Sequence, residues 1–410
     1  MPQINTIIVG GGQAGLALSY YLLQQGREHL VLEQATQVAN TWRNQRWDSF
    51  TFVTPNWAIR LPGAEYQGDA PDGYMPRNDI VAYFEQYMNR FAFPIRFGTR
   101  VASVEPKADG DGYLVRTDET VYDAANVVIA TGLFQNPKIP PFSADLPAGI
   151  LQLHSSKYRN PQALPSGAVL VVGTGQSGCQ IAEELYQSGR TVYQCVGSAG
   201  RAPRRYRGKD VFEWLNITGF FDRTVDKLPS PKAKFLAAPQ ISGRDGGHTL
   251  NLHQFARDGV VLLGRILGAQ DSTIKLAPDL RENLTRADKF EAELVKMVDE
   301  YIARNQLDAP EESLPNLRDG FEAEIIEELN LKAAGINTII WAMGYSADFS
   351  LIRLPILDSD AFPVQKRGVT AYPGLYFVGL PWLDTQKTGL LLGVGDHAAL
   401  IASEIAARDR

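Results

Sequence analysis

The chain has 410 residues, of which 44% are hydrophobic and 21% charged, and a formal net charge of −6. That length allows roughly two to three domains, and the acidic balance argues against a nucleic-acid or anionic-membrane partner. No apolar run approaches the ~18 residues that span a bilayer. Two cysteines, Cys179 and Cys195, with no C-x-x-C pair, exclude dithiol relay chemistry and read as small packing residues.

The first strand begins by about Asn5, which leaves no room for a signal peptide, so a cytoplasmic protein is expected. The run NTIIV leads into GGGQAG, which places Gly10, Gly12 and Gly15 in G-x-G-x-x-G spacing before a helix pattern over Leu16–Gln25. The first glycine allows a tight turn, the second lets backbone approach a pyrophosphate, and the third permits close helix–strand packing. The strand HLVLE then ends at Glu33, where a carboxylate accepts the ribose hydroxyls of an adenosine. Tyr74 to Phe91 reads as a helix with Ile80, Phe84, Tyr87 and Met88 on one face. Runs at Val101–Val104 and Tyr113–Val115 alternate as in an antiparallel meander, and NVVIATG returns to a parallel sheet. The proline-rich stretch from Pro137 to Pro147 reads as a linker.

From Ala168 the pattern recurs: AVLVV leads into GTGQSG, with Gly173, Gly175 and Gly178, then a helix and the strand TVYQCV. Two fingerprints in strand–turn–helix context imply two dinucleotides, hence a flavin exchanging electrons with a nicotinamide. The ribose position separates them. Counted from Gly173, the counterpart of Glu33 is Val196, followed by Ser198, Arg201, Arg204, Arg205 and Arg207. A carboxylate there would repel a 2′-phosphate, whereas guanidinium forks suit one. FAD is therefore expected at the first fingerprint and NADPH at the second.

Residues 200–276 are irregular and aromatic-rich and read as a substrate region. A helix is predicted from Thr285, with Phe290, Leu294, Val298, Tyr301 and Ile302 on one face and Thr285 and Asp288 as candidate N-caps. His248 and His253 do not stack on a helix and lack a ligand cluster, so no metal centre is expected. NTIIWAMGY and GLYFVG read as buried strands of the first domain, followed by a terminal helix in LLLGVGDHAALIASEIAA. The expected fold is α/β, with two Rossmann-like, three-layer dinucleotide-binding domains, the second inserted in the first. Residues 1–147 plus 330–410 would form the FAD domain, and 148–329 the NADPH domain, with a substrate-region insertion at about 200–280.

These motifs resemble the class B flavin-containing monooxygenases, including a bacterial branch of short members. The resemblance runs over nearly the whole chain and rests on the fingerprints, TWRNQRWDSFTFVTP, VVIATG, HSSKY, WAMGY and GLYFVGL…GLLLGVGD. The family's linker signature F-x-G-x-x-x-H-x-x-x-[YFW] is met only at His154 and Tyr158; Ala148 and Ile150 replace its Phe and Gly. A closing Tyr rather than Trp leans toward heteroatom oxygenation over Baeyer–Villiger chemistry. The resemblance implies an NADPH- and FAD-dependent monooxygenase that uses O2, through a flavin C4a-(hydro)peroxide, on a small sulfide, amine or ketone. The alternative is an NAD(P)H-dependent flavin reductase or oxidase that serves a quinone or protein acceptor.

The family places Trp42, Arg43 and the Thr54-Pro55 turn beside the flavin ring, offers Asn56 as the asparagine near the oxygenated flavin, and gives His154 a role in holding the domains in register. Implied cofactor contacts are Gly10, Gly12, Gln13, Ala14, Gly15, Glu33, Gln34, Trp42, Val101, Ala130, Thr131, Gly132, Gly173, Gly175, Gln176, Ser177, Gly178, Ser198, Arg201, Arg204, Ala342, Gly344, Gly379 and Gly395. The terminal helix near Gly393–Asp396 would point its N-terminal end at the flavin N1–C2=O edge. A ribitol-binding Gly-Asp pair is replaced by Gly379-Leu380, leaving Asp384 or Asp396 as substitutes. The sequence allows a homodimer.

Overall fold

Two parallel sheets organise the chain, one for each glycine fingerprint. The computed structural model describes residues 1–108, 110–228, 230–235 and 238–409. In the first sheet, Gln3–Val9 lies between His29–Leu32 and Val121–Ile129, with Ile95–Arg96 beyond the former and Leu375–Phe377 beyond the latter, all parallel. In the second, Ala168–Val172 lies between Val192–Cys195 and Ile336–Trp341, with Val261–Leu263 and Leu151–His154 outermost, again all parallel. Both faces of such a sheet are covered, so its strands read as continuous apolar runs rather than alternating ones. Ile7, Ile8, Val127, Val128, Val169, Leu170 and Val171 are fully buried.

The covering layers also correspond. On one face of the first sheet, the helix Gln13–Gln24 packs Leu18 and Leu22 into a core shared with Ala398, Ile401 and Ile405 of the terminal helix Val394–Arg408. The other face is closed by the meander Val101–Pro106, Tyr113–Thr117 and Val121–Ile129, together with Phe349 and Ile352. The second sheet has the helix Gln176–Gln187 on one face and the meander Ile266–Gln270, Thr273–Leu276 and Glu328–Asn330 on the other.

This correspondence corrects the expected boundary at residue 330. NTIIWAMGY does not return to the first domain: Ile336–Trp341 is a central strand of the second sheet. The chain crosses back after Gly344, where Tyr345–Ser346 pairs antiparallel with Asn136–Pro137. The two crossings thus form one ribbon between the units. The reason for the misreading is that a buried parallel strand carries no mark of which sheet it joins.

The 200–280 segment holds elements too short for periodicity to reveal: a helix Val211–Ile217, a ribbon of Ile241–Ser242 with His248–Thr249, and a helix Leu252–Arg257. It is not wholly an insertion, since Val261–Leu263 is the edge strand of the second sheet. Trp214, Leu215 and Phe221 pack with Leu294, Val298 and Ile302 of the long helix Leu280–Asn305, and with Ala58 and Leu392 of the first unit. That helix starts before Thr285, after Asp279, so Thr285 and Asp288 are not its caps. Thr285 donates back to the Arg281 carbonyl at 2.8 Å, and Asp288 is engaged by Arg201. No helix among the described residues is long and apolar enough to cross a membrane.

Candidate functional site between two dinucleotide turns

The two glycine turns have the same geometry. Gly10 and Gly173 take φ of +110° and +111°, a region that costs an L side chain strain. A Cβ on Gly15 would lie 2.0 Å from the Gly10 carbonyl oxygen, and one on Gly178 would lie 2.1 Å from that of Gly173. A Cβ on Gly12 would meet nothing within 4 Å, which leaves clear space in front of the first helix. Neither helix has a side-chain cap, and Gly12 and Gly175 occupy the cap positions. The first-turn N–H groups of Gln13, Ala14 and Gly15, and of Gln176, Ser177 and Gly178, are therefore free to receive an anion. Each turn also abuts an A-x-G segment: Ala130 N–H donates to the Val9 carbonyl (2.8 Å) and Ala342 N–H to that of Val172 (2.9 Å). Gly132 and Gly344 follow with φ of +69° and +74°.

The strand ends that face the two turns differ. Glu33 accepts from the Gly11 N–H at 2.7 Å and from Ala35 N–H at 2.7 Å, which fixes its carboxylate at the turn, next to Gln34. At the second turn Val196 is buried, and Thr174 accepts the Gly197 N–H at 3.0 Å. Ser198 is exposed on this loop.

The arginines expected to meet a 2′-phosphate already have other partners. Arg201 is buried and pairs with Asp288 (2.8 Å) and Glu291 (2.6 Å). Arg204 is 2% exposed, pairs with Asp210 at 2.6 Å, stacks on Tyr74 and donates to the Val53 carbonyl at 2.8 Å. Arg205 donates to the carbonyls of Gly246 and Gly247, and Arg207 pairs with Asp299. This corrects the expectation for Arg201 and Arg204: their charges are neutralised within the fold, and Arg204 ties the 200–280 segment to the turn preceding Thr54.

Around that turn, Asn56 is buried, and its Nδ2 donates to the Ala70 carbonyl at 2.9 Å while its Oδ1 has no partner among the described residues. Trp42 lies edge-on to Phe52 with ring centroids 5.3 Å apart. Arg43 turns away from this group and pairs with Glu85 of the helix Arg77–Phe91 at 2.6 Å. Val101 sits in the meander, paired with Thr117. Gln13 Nε2 donates to the Gly389 carbonyl at 2.8 Å, and Gly379 packs against Ala14, tying the first turn to the segment before the terminal helix. Gly395 and Asp396 border a polar cavity of about 220 Å³ with Tyr21, Arg60 and Glu65, whereas Asp384 pairs with Arg367.

His154 lies where the units meet. Its Nδ1 accepts the Ser156 N–H at 3.2 Å, so Nε2 carries the proton and donates to the Gly344 carbonyl at 3.0 Å. Burial lowers its pKa, and the neutral ring stands edge-on to Tyr345 at 4.9 Å. Tyr158 is buried and donates to Glu184 at 2.6 Å; Ser49 of the first unit donates to the same carboxylate. Glu184, Thr174 and Tyr345 were not legible as site residues. The A-x-G recurrence after both fingerprints is the signal that would have pointed to Tyr345.

Burial pushes the Cys195 thiol up to about 12 and raises Cys179 as well, so both stay protonated at neutral pH. His248 pairs with Glu183 at 2.7 Å, and His253 contacts Asp288 at 3.3 Å while accepting the Gly320 N–H. Among the described residues no group of three His, Cys, Asp or Glu is arranged to hold a metal.

Residues 7–216 match the pyridine nucleotide-disulphide oxidoreductase family. A CzcO-like oxidoreductase of Geobacillus kaustophilus is 31% identical over 98% of each chain. Flavin-containing monooxygenase 1 of Canis lupus familiaris is 24% identical over 95% of this chain and 70% of its own. A flavin-containing monooxygenase from Stenotrophomonas maltophilia shares the fold with a TM-score of 0.66 at 19% identity, over the whole of both chains. The chain thus belongs to the pyridine nucleotide-disulphide oxidoreductase family and is an oxidoreductase, similar to CzcO-like oxidoreductases and to flavin-containing monooxygenases.

Proposed function

We propose that the chain is an NADPH- and FAD-dependent monooxygenase that inserts one atom of O2 into a small sulfide, amine or ketone. FAD is assigned to the first turn and the nicotinamide dinucleotide to the second. The observation that carries the reading is the pair of equal turns with opposite ribose ends, a fixed carboxylate at Glu33 and none at Val196. The residues fit the two groups: Gly12 leaves space for a pyrophosphate, and the buried Asn56 keeps an acceptor without a partner. The relationship to the canine flavin-containing monooxygenase over most of this chain supports the same reading.

When bound, the flavin supplies hydride acceptance and O2 activation. The chain's own residues bind and orient. First-turn N–H groups and the helix ends receive the phosphates. The rings of Trp42, Phe50 and Phe52 exclude water on one side. Arg204 holds the Val53 carbonyl and thereby the Thr54–Asn56 turn. His154 acts as a positioning residue: a neutral donor on the Gly344 carbonyl, which also accepts the Lys138 N–H at 2.9 Å.

The test is anaerobic addition of NADPH to the yellow protein, followed by rapid mixing with oxygenated buffer while recording spectra. NADPH is expected to bleach the flavin. On oxygenation a transient spectrum is expected that decays faster when a sulfide, amine or ketone is added, with oxygenated product formed in step with O2 consumed. Immediate return of the oxidised spectrum with hydrogen peroxide release, whichever substrate is added, would instead favour a reductase or oxidase serving a quinone or protein acceptor.

A further inference from the structure

Arginines at the junction of the two units mostly have carboxylate partners: Arg201 with Asp288 and Glu291, Arg204 with Asp210, Arg77 with Asp48. Arg46 does not. Among the described residues it forms no ion pair, and the only acceptor of its guanidinium that is a carbonyl is that of the adjacent Gln45, at 2.9 Å. Yet its position is closely determined. The guanidinium carbon stands 5.1 Å from the Trp42 ring centroid and 5.5 Å from that of Phe50. The Arg46 carbonyl accepts from Arg77 at 3.3 Å and from Arg159 at 3.1 Å, so the backbone beneath it is pinned.

An unpaired, partly buried charge is costly, and burial lowers the Arg46 pKa, with the Tyr345 phenol as the side chain that acts against the shift. Tyr345 comes from the other side of the junction. It follows Gly344, whose carbonyl takes the His154 proton, and its ring packs on His154. The guanidinium therefore lies between Trp42 of the first unit and the A-x-G segment that borders the second turn. His154 is neutral here, so it does not compete as the cation.

We propose that Arg46 is the counter-cation for the pyrophosphate of the nicotinamide dinucleotide held at the second turn. The proposal rests on the reading of that turn given above. Main-chain N–H groups at Gln176–Gly178 receive the pyrophosphate from one side, and Arg46 meets it from the first unit with a fork matched to phosphate oxygens. The contact joins the two units only when the dinucleotide is present. It also assigns the missing positive charge to the pyrophosphate rather than to the 2′-phosphate, where Arg201 and Arg204 are already neutralised.

The test is titration of NADP⁺ and of NAD⁺ into the flavin-loaded wild type, Arg46→Gln and Arg46→Lys, at low and high salt, read by calorimetry. Arg46→Gln is expected to weaken both ligands alike, by roughly 10- to 50-fold, and to flatten the salt dependence, with flavin content unchanged. Arg46→Lys is expected to recover part of the affinity and most of the salt dependence. An unchanged Kd for both ligands in Arg46→Gln overturns the proposal, as does a loss confined to NADP⁺, which would move the contact to the 2′-phosphate. Should Arg46→Gln not fold, Arg46→Lys decides: several-fold weaker binding of both ligands supports the contact, and an unchanged Kd overturns it. Failure of the wild type to bind either dinucleotide overturns the reading of the second turn and this proposal together, and it is recognised without any variant.

Discussion

The first and second dinucleotide units repeat one plan strand for strand, yet they part company one residue past the second strand. In the first unit a carboxylate reaches back: Glu33 accepts the Gly11 N–H. In the second the turn reaches forward: Thr174 accepts the Gly197 N–H, and Val196 is buried where Glu33 stands. What is shared, a left-handed glycine and a helix glycine pressed on its carbonyl, is what any pyrophosphate-binding turn needs. What differs lies at the end of the second strand of each unit, where the proposed function assigns the two turns different dinucleotides. The basic loop after the second strand belongs to this contrast, but not as the sequence implies. Its arginines join the 200–280 segment to the long helix and to the first unit.

The sharpest way to break the comparison is to block each turn separately. Gly15→Ala and Gly178→Ala both force a Cβ to within about 2 Å of backbone oxygen, an overpacking of roughly 3 kcal/mol or more. Gly15→Ala is expected to purify colourless. Gly178→Ala should keep its flavin spectrum while losing NADP⁺ binding by roughly 100-fold. Loss of flavin from Gly178→Ala alone would reverse the assignment of the two turns. Both variants are read by absorbance and calorimetry.

Arg201→Ala tests the basic loop. Removing one partner of a buried pair leaves Asp288 and Glu291 uncompensated, a cost of about 3 kcal/mol. The expected result in urea unfolding is a destabilised protein whose KM ratio for NADPH against NADH is unchanged once folded. A selective rise in the NADPH KM with unaltered stability would restore the 2′-phosphate role.

The smallest effect concerns His248 in the second unit. Its hydrogen bond to Glu183 raises the imidazole pKa. The stabilisation is therefore full below about pH 6.5, the unfolded value, and is lost as pH rises through the higher folded value. His248→Gln should cost about 0.5–1 kcal/mol at pH 6 for this partly exposed pair, and less at pH 9. Equal losses at both pH values would make packing, rather than charge, the reason for the contact.

Much of this was legible from local pattern. The fingerprint spacing located both turns, and the Glu33 and Val196 register separated them, because strand, turn and helix are contiguous in the chain. The apolar faces of Arg77–Phe91 and Leu280–Asn305 were readable for the same reason, although the latter begins earlier than its periodicity indicates. The assignment of Ile336–Trp341 failed because a strand buried on both faces is equally apolar in either sheet. The partners of Arg43, Arg201 and Arg204 were not legible either. A guanidinium in a sequence declares its charge but not the carboxylate that meets it, and Glu85, Glu291 and Asp210 are chosen by packing.

By itself the amino-acid sequence determined the α/β class, the two dinucleotide turns and the absence of a dithiol, since each depends on residues close together in the chain. Only the tertiary structure decided which sheet takes the Ile336–Trp341 strand, which arginines are neutralised, and that Arg46 stands beside Trp42 and Tyr345 with no carboxylate partner among the described residues. Those outcomes depend on contacts between residues tens to hundreds of positions apart, where desolvation and pairing, not local propensity, set the free energy of each charge.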